Sequence, residues 1–132
     1  MSWTFHIKSG KIDHNGIYFS TGWSGHNVKD GVQGRNNPDA VSVHDIGSLP
    51  PGKYTAGVAY DSPKTGPLTI PLTPDPSNTM FDRGGFKIHG WQIGTDPGDP
   101  FNPSSDGCIM QNRPNRTTIN SSPDKDWEVV GE

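Results

Sequence analysis

The stretch FKIHGWQIGTDPGDPFNPSSDGCIM, residues 86–110, places a histidine and the chain's sole cysteine at the two ends of a turn-rich loop. Gly85 to Gly90 predicts a short strand that ends at His89. The GTDPGDPFNPSSDG segment behind it is too rich in turn formers for regular structure and predicts a mobile loop. In SSDGCI, Gly107 lets the backbone bend closely around the sulfur of Cys108, and Ile109 anchors the turn inward. A strand, an irregular loop and a tight turn in so short a span predict a fold of brief strands joined by long loops.

The flanking sequence agrees. Residues 3 to 8 alternate, with Trp3, Phe5 and Ile7 on one side and Thr4, His6 and Lys8 on the other, the period-two signature of a half-buried strand. Lys11 to Asp13 pairs back, and the His14, Asn15, Gly16 turn leads into a strand over Ile17 to Thr21, because Asn-Gly favours the positive φ of a tight hairpin. From Gly22 to Asp45 turn residues dominate and predict a long irregular excursion. Leu49-Pro50-Pro51-Gly52 fits a type II turn, followed by a strand from Lys53 to Tyr60. In PLTIPLT, residues 67–73, Leu68, Ile70 and Leu72 are in phase; Pro71 removes a ladder donor, which predicts an edge strand or a bulge. Beyond Cys108 a short helix is expected near Asn115 to Ser121 and a last strand at Trp127 to Val130.

The 132 residues suit one domain, residues 1–132, able to bury roughly two thirds of its unfolded surface. Leu, Ile, Val and Phe make up only 24 of them, below the level of an ordinary globular chain. Disorder also needs charge repulsion, however, and the net charge is -3, while four Trp and three Tyr supply large apolar surfaces. The 17 Gly and 13 Pro follow no period, which excludes collagen and favours a mainly β architecture. A pI near 5.9 without a Lys/Arg run gives no footprint for nucleic acid or an anionic membrane. One cysteine cannot form an intramolecular disulfide, so folding does not call for an oxidising compartment. The N-terminal MSWTFHIKSGK lacks the apolar core of a Sec signal, and no segment has the ~20 apolar residues of a membrane span.

An unperturbed thiol has a pKa of about 8.5, so a nucleophilic cysteine needs an imidazole partner near neutral pH. His89 is that partner in this reading, with the Gly90 carbonyl free to orient its ring. The turn can aim the N–H groups of Gly107 and Cys108 at one point, as an oxyanion hole requires. Ser, Asp and Gly are not core residues, so the thiol is expected to be partly exposed rather than a small buried hydrophobe.

FKIHGW followed by SSDGCIM resembles the HG...S-x-G-C signature of YkuD-type L,D-transpeptidase domains. GRNNPD and GSLPPGKYT upstream look like the short, leaderless branch delivered as antibacterial effectors by type VI secretion, so the resemblance runs from about Trp23 to Met110. It implies a single β-rich YkuD-type domain with at most one or two short helices, acting on peptidoglycan tetrapeptide stems without a cofactor or metal. His89 matches the general base, Cys108 the nucleophile and Gly90 the orienting carbonyl; Ser105 and Gly107 match the other fixed positions. Asp106 stands where the family has histidine and Met110 where it has arginine, leaving Arg83 or Arg113 to hold a stem carboxylate. Gly107, Ser105, Asp106 and Trp91 are expected to face the oxyanion or the substrate. The implied setting is synthesis in the cytoplasm without a Sec signal, export by a type VI component, action in a target-cell periplasm and restraint by a cognate immunity protein.

Other chemistries fit parts of the chain. His89 and Asp96 have an H-x6-D spacing that could share a zinc ion, though zinc needs further ligands. Asp96, Asp99 and Asn102 could hold calcium or simply make turns. Trp23, Trp91 and Tyr60 could form a sugar-stacking platform on a non-catalytic wall-binding module, although aromatics on strands are more often core.

Overall fold

A computed structural model describes residues 2–132. Strand β1 (Ser2–His6) runs parallel to β10 (Asp126–Val130), the last strand of the chain, and antiparallel to β2 (Lys11–His14). The register pairs Trp3 with Trp127 and Phe5 with Val129, so period-two alternation puts all four on one face. The two indoles stack with ring centroids 5.5 Å apart, and Trp3 also stacks on His14 at 3.9 Å. Asn15 and Gly16 both take positive φ, 52° and 82°, in the tight turn into β3 (Ile17–Thr21).

On the other side of β10 lies β5 (Gly52–Ala56), then β7 (Gly66–Pro74), β8 (Lys87–His89), β9 (Ile109–Met110) and β4 (Trp23–Ser24); β6 (Tyr60–Ser62) pairs with the first part of β7. The expected excursion from Gly22 to Asp45 is irregular apart from β4, an isolated antiparallel bridge between Asn27 and Gln33, and a 3-10 turn at Pro38–Ala40. The expected strand to Tyr60 breaks after Ala56, and Tyr60 belongs to β6.

Pro71 is not on an edge. It lies inside the sheet, where β7 leaves β5 (Ala56 opposite Leu72) and takes up β8 (Pro71 opposite Lys87). A residue's N–H and C=O point the same way in a strand; the Pro71 carbonyl accepts from the Gly57 N–H. The missing N–H therefore faces ground just beyond the end of β5, where no ladder acceptor is required.

Helix α1 (Arg113–Ser121) follows β9. Asn112 caps it by accepting from the Asn115 N–H at 2.9 Å, and a proline in the first turn suits positions whose N–H groups have no helical partner. Its inward face buries Ile119 and Arg116. The core gathers Trp3, Phe5, Ile12, Tyr54, Ile88 and Trp127 with their neighbours beneath the sheet. The architecture is mainly β with one short helix, as the sequence predicts.

Candidate active site

Strands β8 and β9 are parallel neighbours, with Ile88 opposite Ile109 and His89 opposite Met110. The two isoleucines point into the core, so alternation sends Lys87, His89 and the preceding Cys108 to the other face. There a cleft of about 420 Å³ is lined by both His89 and Cys108, together with Lys64, Lys87, Arg83 and Asp106. That volume lies within the usual range for small-ligand sites.

His89 is 5% exposed. Its Nδ1 lies 2.8 Å from the Gly90 carbonyl oxygen. A carbonyl can only accept, so Nδ1 carries the proton and the neutral ring keeps its lone pair on Nε2. Burial pushes the imidazole pKa below its ordinary value; Lys87 and Arg116 push the same way, against the Gly90 carbonyl and Asp106. Cys108 is half-buried. Burial raises its thiol pKa, opposed by the Lys87 N–H and the Lys87 and Lys64 ammonium groups. Both directions favour a neutral thiol beside a neutral imidazole over a resting thiolate–imidazolium pair. Such a pair can pass a proton during attack on a carbonyl.

Gly90 has a steric reason as well. A Cβ there would come within 2.8 Å of Arg116 Nη1. That guanidinium is fixed by the carbonyls of Gln111, Leu68 and Pro67.

The turn before Cys108 differs in detail from the sequence reading. Ser105 is fully buried, and its hydroxyl accepts from the N–H groups of Gly25 (2.8 Å) and Gly107 (3.2 Å) while donating to the Cys108 carbonyl. Ser105 thus braces the turn from inside and does not face the cleft. The expectation for the Gly107 N–H needs the same correction, since Ser105 already occupies it. The Gly107 carbonyl in turn accepts from Ser24 Oγ at 2.6 Å. Gly107 has φ 131°, and a Cβ would meet Phe86 at 2.6 Å and Arg83 Nη2 at 2.7 Å. Asp106 does reach the cleft, exposed, with Oδ1 3.9 Å from His26 Nδ1. Trp91 does not; it borders an adjoining hollow with Lys64 and Arg113 and leans on Trp23, centroids 5.4 Å apart.

Arg83 and Arg113 are both unsuited to hold a carboxylate beside the sulfur. Arg83 is buried and gives its guanidinium hydrogens to the carbonyls of Val41, Gly47, Ser48 and Asp106. Arg113 lies in the adjoining hollow. The cleft cations that sequence reasoning missed are Lys64 and Lys87; Lys87 carried a signal, being two residues from His89 on a predicted strand.

The loop from Gln92 to Gly107 is a chain of turns tied to the protein rather than a free strap. Asp96, Asp99 and Asn102 each accept through one side-chain oxygen from the N–H groups of Gly98, Phe101 and Ser104 respectively. Arg35 holds the loop by donating to the Pro97 and Asp99 carbonyls. These are turn bonds, the ordinary role of Asp and Asn in such a loop. Among the described residues no three His, Cys, Asp or Glu side chains cluster as metal ligands, so His89 and Asp96 find no third donor. Trp23 is buried beneath the Arg35 guanidinium, so it offers no platform for a sugar.

A family model described as the Tlde1 domain matches residues 20–125. The chain belongs to the Tlde1 domain family. Tlde1 domains form a type VI secretion effector family of the L,D-transpeptidase kind. Among solved structures the chain is similar to the helical cell shape determining protein Pgp2 from Campylobacter jejuni, with a TM-score of 0.56 at 16% identity. That match covers 97% of this chain and 46% of Pgp2, so the chain spans less than half of its neighbour's length. At such identity the likeness concerns the fold, which is of the YkuD kind. No curated protein sequence matches the chain. Among the described residues no helix is long and apolar enough to cross a membrane.

Proposed function

We propose that this Tlde1 domain is a cysteine acyltransferase on peptidoglycan tetrapeptide stems, working as an L,D-carboxypeptidase and D-amino acid exchanger. The observation that carries the reading is one cleft shared by a half-buried thiol and an imidazole whose Nδ1 is committed to Gly90, leaving the Nε2 lone pair as the base. Cys108 is the nucleophile, His89 the general base and the Gly90 carbonyl its orienting partner.

Sγ attacks the carbonyl carbon of the third stem residue, a diamino acid, as His89 Nε2 takes the thiol proton. With the Gly107 N–H engaged by Ser105, the Cys108 amide is the turn's donor for the developing oxyanion. The C–N bond to the terminal D-Ala then breaks, and His89 returns the proton to the departing amine. A thioester remains. Water, deprotonated by His89, adds to it; the C–S bond breaks, the sulfur recovers a proton, and a tripeptide leaves. A free D-amino acid in place of water gives exchange, and a neighbouring stem amine gives a cross-link. Trimming and exchange both deplete the donors a growing wall requires. Family membership supports action in a target-cell periplasm, delivery by a type VI component and a cognate immunity protein.

The test is mass spectrometry of muropeptides. The wild type should convert tetrapeptides to tripeptides and incorporate added D-Met at the terminal position, while Cys108→Ala should do neither. Equal product from both proteins would end the cysteine reading.

A further inference from the structure

Two cations in the cleft are used neither by the fold nor by the proton transfers above. Lys87 shares its strand face with His89, and the Ile88–Ile109 register sets Cys108 directly across from it. Its ammonium touches only the Gly85 carbonyl, at 3.5 Å. Lys64 is exposed on the turn between β6 and β7 and lines the same cleft. The same Gly85 carbonyl lies 3.8 Å from Cys108 Sγ, so the Lys87 ammonium and the sulfur share a neighbour, and Lys64 borders the cleft that holds both. Among the described residues neither forms an ion pair, although Asp45, Asp82 and Asp106 also border the cleft.

The neighbouring arginines are committed. Arg83 is held by four carbonyls and Arg116 by three. A lone surface lysine is ordinarily just solvated. These two instead flank a nucleophile in a concave site, which calls for an anionic group on the ligand. In a stem that ends one residue past the scissile bond, the terminal carboxylate lies about one residue spacing, ~3.8 Å, from the carbonyl carbon that the sulfur attacks. Ammonium groups beside the sulfur are placed for that carboxylate.

We infer that Lys87 and Lys64 form the subsite for the free C-terminal carboxylate of the departing D-amino acid, restricting the enzyme to stems that end at that residue. The inference rests on the proposed acyl-transfer reading and deepens it. A stem continuing beyond the fourth residue, or ending in a carboxamide, puts a neutral group against two ammonium groups. Incoming D-amino acids bring the same carboxylate, so hydrolysis and exchange share the subsite.

The test uses Cys108→Ala protein, which binds without turnover, titrated calorimetrically with a tetrapeptide ending in carboxylate and with its C-terminal carboxamide. The acid should bind about tenfold more tightly than the amide, the scale of a charge-assisted contact. Adding Lys87→Gln or Lys64→Gln should shrink the ratio, and both together should bring it near one. With Cys108 intact, Lys87→Gln should raise KM for the acid about tenfold and bring the acid-to-amide ratio of kcat/KM towards one, a ratio from which any general effect on the Cys108–His89 pair cancels. Equal binding of acid and amide, no binding of the acid, or a preference that survives both substitutions overturns the subsite. Equal D-Ala release by wild type and Cys108→Ala would instead overturn the cysteine mechanism, a result the binding arm does not depend on.

Discussion

The two ends of this sheet are held by different forces. Around β1 and β10, Trp3, Phe5, Trp127 and Val129 are all nearly inaccessible, and they cohere through stacked rings and buried apolar area. Around Cys108 the buried isoleucines and Phe86 are joined by many buried polar groups: Ser24, Ser48, Ser105, Arg83, Gln111 and Arg116. Ser24 Oγ donates to the Gly107 carbonyl and accepts from the Leu49 N–H, while Ser48 Oγ donates to the Ser24 carbonyl at 2.6 Å. Apolar contact is non-directional and tolerates small shifts, whereas these bonds fix the turn in distance and angle. A scaffold needs the first; a sulfur aimed at a carbonyl needs the second.

The sharpest way to break the contrast is to damage each end separately. Trp127→Ala should cost about 3–5 kcal/mol by denaturant unfolding while leaving kcat of the folded enzyme near wild type. A fall in kcat would show that the apolar end also sets the site. Ser105→Ala strips the Gly25 and Gly107 N–H groups and the Cys108 carbonyl of their partner, costing about 1–3 kcal/mol. Its kcat should drop about a hundredfold through misplacement of the turn, measured on tetrapeptide at a temperature where the variant is folded. Gly90→Ala presses a methyl onto Arg116 and should cost roughly 1–3 kcal/mol as overpacking, with reduced kcat from the displaced His89 ring.

Smaller effects concern protons. The His89 pKa is depressed by folding, so the unfolded chain binds that proton first as pH falls. Stability should therefore decline as pH drops through the unfolded-state value, ~6.5, and level off below the depressed folded value. His89→Gln should flatten this part of the curve. The acid limb of kcat/KM should fall below the same ordinary value. Finally, because burial raises the Cys108 thiol, alkylation by iodoacetamide should keep rising with pH through the usual thiol range. A plateau at acidic pH would mean a resting ion pair.

The apolar end was legible because its information is local. Alternation in residues 3–8 marks the core face, Asn15-Gly16 marks the turn, and Ile17 to Thr21 is read with the bounds that β3 shows. Helix α1 begins two residues before the expected Asn115, where Asn112 and the early proline set its start. Pro71 was misread because its environment depends on where a different strand, β5, ends. His89, Gly90 and Cys108 stand out as residue types, and the structure brings the histidine and the thiol to one cleft. The direction of a hydroxyl or an amide is not written in residue type, so Ser105 and Gly107 read as cleft groups when they brace the turn from behind. Arg83 is distant in sequence from the turn it supports, and nothing local links it to the Asp106 carbonyl.

The central claim is a covalent bond from substrate to the Cys108 sulfur. Wild-type protein mixed with tetrapeptide and acid-quenched within a turnover should show, by intact-protein and peptide mass spectrometry, a tripeptide acyl adduct on the Cys108 peptide, absent in Cys108→Ala. Undiminished D-Ala release by Cys108→Ala, with no adduct on that peptide of the wild type, would contradict it.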